Sequence, residues 1–362
     1  MPRNPARRSS RPARKRRLLS KRFYSRLRIL SMGLLLFLGS LLIGGAMLLI
    51  LAFRTPFAKA DSFGEIFTEN SSKYTLLLMS VDSREGSSPH IESINLFSLN
   101  PQSKTAVMIS IPSELKLNNL AEFGEISLSS LYAVGSGNDP DHTKSITTVS
   151  DTLENILAIP IDKYIITDQK GLKNIEDEAN MELTWSNFNE LLSLRELLRF
   201  PNLVTTLHSS LASDLSFQEL TTLGKLLLSI REDKITKLEL REEDFKEISI
   251  LDRKLAGNVF DPQIYEERLS IQVLNGTTIP AQAQQASRLI QNMGGRVVDT
   301  GNTTDQNSER SYILVRNESS YTLSKISKVL GINTIRVYNS SYGIKDRADI
   351  SVIVGLDTAS KK

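Results

Sequence analysis

Residues Ile29 to Phe53 are 25 consecutive positions without a charge, and the 28 residues before them carry twelve Lys or Arg and no Asp or Glu. No other feature constrains this chain so tightly. Some 20 apolar residues at about 1.5 Å each cross a hydrocarbon core of about 30 Å, so 29–53 can span a membrane with room to tilt. Cations on the N-terminal side hold that side in the cytoplasm. The expectation is a single-pass anchor in the cell membrane, with a basic cytoplasmic tail over 1–28 and an extracytoplasmic body. Ala58-Lys59-Ala60 has the form of a signal-peptide cleavage site. The apolar region of a signal peptide runs only about 7–15 residues, however, so this span should stay uncleaved.

The anchor also divides the charge. Arg54 is the thirteenth cation from the N-terminus; beyond it stand 31 basic residues against all 41 acidic ones, a net charge of −10. A basic tail can neutralise nucleic-acid phosphates or lie on anionic lipid headgroups. Here no helix-turn-helix pattern accompanies the cations, and Phe23 and Tyr24 stand where interfacial aromatics belong. The tail therefore reads as lipid-facing, with no nucleic-acid partner. The absence of cysteine removes disulfides, Cys-ligated zinc, iron–sulfur clusters and cysteine nucleophiles. Three scattered histidines give neither a His-rich metal site nor a base for a serine nucleophile.

After a polar spacer at 54–72, order is expected to begin at Tyr74–Val81, an apolar run ending in the polar Asp82-Ser83-Arg84-Glu85-Gly86. Strands are predicted at Ile94–Leu99, Ala106–Ile111 and Ile159–Thr167. Helices are predicted at Ser145–Leu157, Ser186–Phe200, Leu203–Ala212 and Ser216–Ile230, the last opened by a Ser-x-x-Glu capping box. This reads as an α/β domain over 73–250, followed by a linker at 251–267. A second unit at 268–357 shows strands at Leu269–Leu274, Arg296–Asp299, Ser311–Val315, Thr334–Tyr338 and Asp349–Val354. Helices at Pro280–Met293 and Tyr321–Leu330 complete a small two-layer α/β sandwich, with 358–362 as a tail.

Leu76-Leu77-Leu78-Met79-Ser80-Val81-Asp82-Ser83-Arg84-Glu85, Ser98-Leu99-Asn100-Pro101-Gln102-Ser103-Lys104 and Met108-Ile109-Ser110-Ile111-Pro112 resemble segments of the LytR-CpsA-Psr family. Asp214-Leu215-Ser216-Phe217-Gln218-Glu219-Leu220 is similar to that family's closing helix. Ile271-Gln272-Val273-Leu274-Asn275-Gly276-Thr277 and Ala348–Gly355 are similar to the first and last strands of the LytR C-terminal domain. The resemblance implies a cell-envelope protein whose relatives transfer polyprenyl-linked glycopolymers to peptidoglycan. It also implies a first-loop Asp, at Asp82 here, a divalent cation on the diphosphate, and several arginines on the phosphate oxygens. The arginine motifs are altered in this chain. His90-Ile91-Glu92-Ser93 stands for Arg-Ser-Asp-Thr, and Ile111-Pro112-Ser113-Glu114 for Ile-Pro-Arg-Asp. Between Leu172 and Leu203 only Arg195 and Arg199 occur, on an expected helix, and no later arginine pair is found. Cationic clamps of this kind are worth about 2–4 kcal/mol each in a transition state. Asp82, Arg84, Glu92 and Glu114 therefore read either as solvated loop charge or as the remnant of the family's site, with Mg²⁺ on Asp82 and Glu92 and a phosphate on Arg84; no catalytic residue is expected. A binding or scaffolding protein of the envelope is expected, with membrane lipid and a wall polymer or envelope protein as partners. The alternative is an active phosphotransferase with a rebuilt site.

Overall fold

The computed structural model describes residues 72–84, 89–120, 124–136, 143–179, 203–316, 319–339, 342–345 and 347–359. The expected tail, anchor, most of the spacer and the helix at 186–200 lie outside the described residues. Among the described residues no helix is long and apolar enough to cross a membrane.

The first domain is built on a six-stranded sheet. Its strands are β1 (Tyr74–Val81), β2 (Ile91–Asn100), β3 (Thr105–Ile111), β6 (Lys163–Asp168), β7 (Leu211–Ser213) and β8 (Ile235–Glu239). They lie in the order β7-β6-β1-β2-β3-β8. β1, β2 and β3 are antiparallel neighbours, while β6 runs parallel to β1 and β8 parallel to β3. A small hairpin, β4 (Lys116–Leu120) and β5 (Gly124–Ser127), leaves the end of β3. Both faces of β1 are apolar because both are covered, which is why the strand reads as one continuous hydrophobic run. Leu77, Met79 and Val81 face a core completed by α1 (Leu128–Ser136), α2 (Thr143–Leu157) and α6 (Ile248–Leu255). Tyr74 and Leu76 face the other core, filled from α3 (Gln169–Ala179), α4 (Leu203–Ser210) and α5 (Phe217–Ser229). The result is a three-layer α/β/α domain. In α2 the buried Ile146, Val149, Leu153 and Leu157 recur every three or four residues, the stripe of an amphipathic helix. The capping box at α5 forms as expected: Ser216 accepts from the Glu219 N–H and Glu219 accepts from the Ser216 N–H.

The second domain carries a five-stranded sheet ordered β10-β9-β13-β11-β12. Its strands are β9 (Ser270–Asn275), β10 (Arg296–Asn302), β11 (Tyr312–Val315), β12 (Ile335–Val337) and β13 (Ile350–Val354). Helices α8 (Gln282–Asn292) and α9 (Tyr321–Val329) pack on one face, giving the expected two layers. Asp349 fastens the chain ahead of β13 to the start of β9. Its carboxylate accepts the Ser270 N–H at 2.9 Å and the Ser270 hydroxyl at 2.6 Å, which hold its pKa below the ordinary carboxylate range. Asn275-Gly276-Thr277 is a tight turn. A Cβ on Gly276 would lie 2.6 Å from the Ser308 hydroxyl, so the close approach of the 308 loop requires glycine.

Two expectations need correction. The predicted strand over 159–167 begins only at Lys163, since Ala158 takes a positive φ and Pro160 supplies no backbone donor. The predicted helix over 203–212 ends at Ser210, and the next three residues pair with β6 instead. The stretch read as a linker, 251–267, contains most of α6 and all of α7 (Pro262–Glu267). Leu251, Leu255 and Val259 join the first domain's core, whereas Ile264 joins the second's. The change of allegiance falls between Val259 and Ile264, next to the Asp261 cap and the Pro262 that opens α7.

Candidate functional site

Parallel pairing places the carboxyl ends of β1, β3, β6 and β8 along one edge of the first sheet, together with the start of β2. In open α/β sheets this carboxyl edge is where ligands bind. Asp82, Arg84, His90, Glu92 and Glu114 all lie on it. They do not converge into one cluster.

Asp82 closes the loop that follows β1. Its Oδ1 accepts the Ser83 N–H at 2.7 Å and the His90 N–H at 2.9 Å, and its Oδ2 lies 3.9 Å from His90 Nδ1. Both side chains are about half exposed. Glu92 is exposed and engaged separately, accepting from the Ser80 hydroxyl at 3.2 Å and from Gln169 Nε2 at 2.8 Å. Glu114 is exposed in the turn after β3.

The arginine is directed inward. Arg84 donates from Nη2 to the Ser209 carbonyl at 2.8 Å, and its backbone N–H reaches Asp168 Oδ2 at 3.0 Å. Its Nε lies 3.4 Å from the same carboxylate without making a hydrogen bond, so that pairing is electrostatic. Asp168 is the residue that sequence reasoning missed. It sits at the end of β6 as the N-cap of α3, accepting the Gly171 N–H at 2.7 Å. A Cβ on Gly171 would meet the Ser210 carbonyl at 2.5 Å and Asp168 Oδ1 at 2.9 Å, so only glycine permits this close turn. Burial alone would raise the Asp168 pKa. The hydrogen bonds from Arg84 and Gly171 and the Arg84 charge outweigh burial and hold it below the ordinary range. A Thr-Asp pair ending a strand just before a helix with glycine at its third position was the available signal.

A hard divalent cation takes six or more oxygen ligands. Among the described residues no group of three or more Asp, Glu or His side chains is placed to hold a metal. Asp82 and Glu92 each make their own hydrogen bonds, so the donor set does not fit a resident Mg²⁺ held by protein alone.

Residues 54–180 match the family model for LytR_cpsA_psr, and residues 268–357 match that for the LytR cell envelope-related transcriptional attenuator. The chain carries a LytR-CpsA-Psr domain followed by a LytR C-terminal domain. Similar curated proteins include a polyisoprenyl-teichoic acid–peptidoglycan teichoic acid transferase, TagU, of Bacillus licheniformis. It is 29% identical over 119 residues, which cover 33% of this chain and 35% of that protein. TagV of Bacillus subtilis, with the same descriptive name, is 28% identical over 123 residues, covering 33% and 30%. The match thus spans about a third of the curated relatives' length. A solved structure of TagT bound to LI-WTA aligns at a TM-score of 0.38 and 14% identity, covering 54% of this chain and 98% of that one.

Proposed function

We propose that this LytR-CpsA-Psr protein is a membrane-anchored, extracytoplasmic envelope protein that binds wall glycopolymer without transferring it. The observation that carries this reading is the fate of Arg84. Among the described residues, the loops that follow β1, β3, β6 and β8 hold two arginines: Arg84 after β1 is already engaged by Asp168 and the Ser209 carbonyl, and Arg241 after β8 is exposed, with its backbone N–H on Asp244. Transfer from a polyprenyl pyrophosphate develops charge on the leaving diphosphate, which a catalyst meets with fixed cations. His90 and Ser113 stand where the family's arginines would be. Asp82 and Glu92 would hold a cation only together with oxygens brought by a ligand, and Arg84 acts as a strut more than a phosphate clamp.

The anchor belongs to the same proposal. The uncharged span of 29–53 and its twelve preceding cations support an N-terminus in the cytoplasm, a tail on anionic lipid and the body outside. Protease added to intact spheroplasts should degrade the body and spare the tail; a protected body would end the topological part. For function, full-length protein in detergent should be retained by purified wall glycopolymer or peptidoglycan. Failure to bind either polymer would sink the reading.

A further inference from the structure

The opposite end of the first sheet holds charge of another kind. Four charged residues from four segments are buried together where the two domains meet. Lys73 leads into β1, Asp162 precedes β6, Asp261 caps α7 and Lys325 lies on α9, and none is more than 7% exposed. Three of them are fully partnered. Asp162 accepts the Thr75 N–H at 2.8 Å and lies 3.5 Å from the Lys325 ammonium. Asp261 accepts the Gln263 N–H at 3.0 Å, the Ser72 hydroxyl at 3.0 Å and the Tyr321 hydroxyl at 2.7 Å. Lys73 is the surplus cation. Among the described residues it makes no ion pair, and its acidic neighbours are already bonded to other groups.

We propose that Lys73 is the proton-sensitive element of an interdomain latch, which tightens when the buried amine gives up its proton. The latch around it is Lys325 of the second domain on Asp162 of the first, and Ser72 on Asp261 and Tyr321, beside the Arg288–Asp252 pair that also joins the domains. A charged Lys73 opposes docking because closure strips its hydration shell without supplying an ion pair. Asp261 and Asp162 attract it and Lys325 repels it, and the Tyr321 hydroxyl completes the groups around the cluster. Burial dominates, pulling the amine down to about 8.

The sign follows from proton linkage. An open form exposes Lys73 to water, where it titrates near 10.4. Between pH 8 and about 10 the open form therefore holds a proton that the closed form lacks, so raising pH favours closure. A simple salt bridge broken by lysine deprotonation would do the reverse.

The chain contains no cysteine, so Gln102→Cys and Asn333→Cys can place one spin label on an exposed site of each domain of the full-length protein in nanodiscs. Closed and open populations are then counted by pulsed dipolar spectroscopy in mild urea. The ratio of closed to open should rise roughly tenfold from pH 8 to 9.5. Lys73→Met, uncharged and of similar length, should be tighter than the native protein at pH 7 and show no rise. Lys73→Arg, charged throughout, should be no tighter than native at pH 7 and also show no rise. A native ratio that is flat or falls with pH, or a rise that persists in both variants, overturns the proposal.

Discussion

The two ends of the first sheet handle charge in opposite ways. At the carboxyl edge, Asp82, His90 and Glu92 are exposed and bonded mainly to their immediate surroundings. At the amino end, Lys73, Asp162, Asp261 and Lys325 are buried and come from both domains. Buried charge demands a partner, whereas exposed charge does not. Demanding electrostatics therefore lie in domain assembly and in the Lys163–Asp214 pair buried within the first domain, and the edge where chemistry is expected has only modest electrostatic organisation. Arg84 and Asp168 stand between these extremes: nearly buried, mutually paired, and tied to a helix cap.

Substitutions should reproduce that ranking. Asp162→Ala should have the largest effect, about 3–5 kcal/mol lost in urea unfolding, because the buried Lys325 would lose its ion pair and the Thr75 N–H its acceptor. Arg84→Ala should cost about 1–3 kcal/mol by leaving the Asp168 carboxylate short of its cation. On the proposed reading it should leave glycopolymer retention intact, and lost retention would make Arg84 a ligand contact after all. Asp82→Ala, on a half-exposed side chain, should cost under about 1 kcal/mol by the same melt. If it proves as costly as Asp162→Ala, the contrast between the two ends is wrong.

Acid titration sharpens the comparison further. The Asp168 pKa is depressed, so its contribution is fully present above the ordinary carboxylate value of about 3.9 and is lost as pH falls through the lower folded value. Arg84→Ala should flatten the stability profile below about pH 4 and leave it unchanged near neutrality apart from a constant offset. An altered slope between pH 6 and 8 would point to another titrating group.

Much of the architecture was legible because its signals are local. Tyr74–Val81 is a strand over the expected residues, since a continuous apolar run of eight has two covered faces to fill. The Ser216 capping box and the α2 stripe were equally plain. The β4–β5 hairpin and β8 were not. Lys116–Leu120 and Ile235–Glu239 are short and largely polar, and the second lies at a sheet edge, where alternation is weak. The two short helices of 251–267 were not legible, because Gly257 and Asp261-Pro262 are turn signals that here stand between them. At the site, the loop carrying Asp82 and His90 and the start of the strand carrying Glu92 could be picked out from sequence. The pairing of Arg84 with Asp168, 84 residues apart, could not, because it exists only once β6 lies beside β1.

The most direct test of binding without transfer is turnover of a polyprenyl-pyrophosphate-linked glycopolymer with Mg²⁺ and peptidoglycan acceptor, comparing the native full-length protein with Asp82→Ala. The account predicts that both retain the polymer and that neither releases polyprenyl pyrophosphate or labels the acceptor above the uncatalysed background. Native turnover that disappears in Asp82→Ala would contradict it, and would show that the carboxyl edge assembles its cations only around substrate.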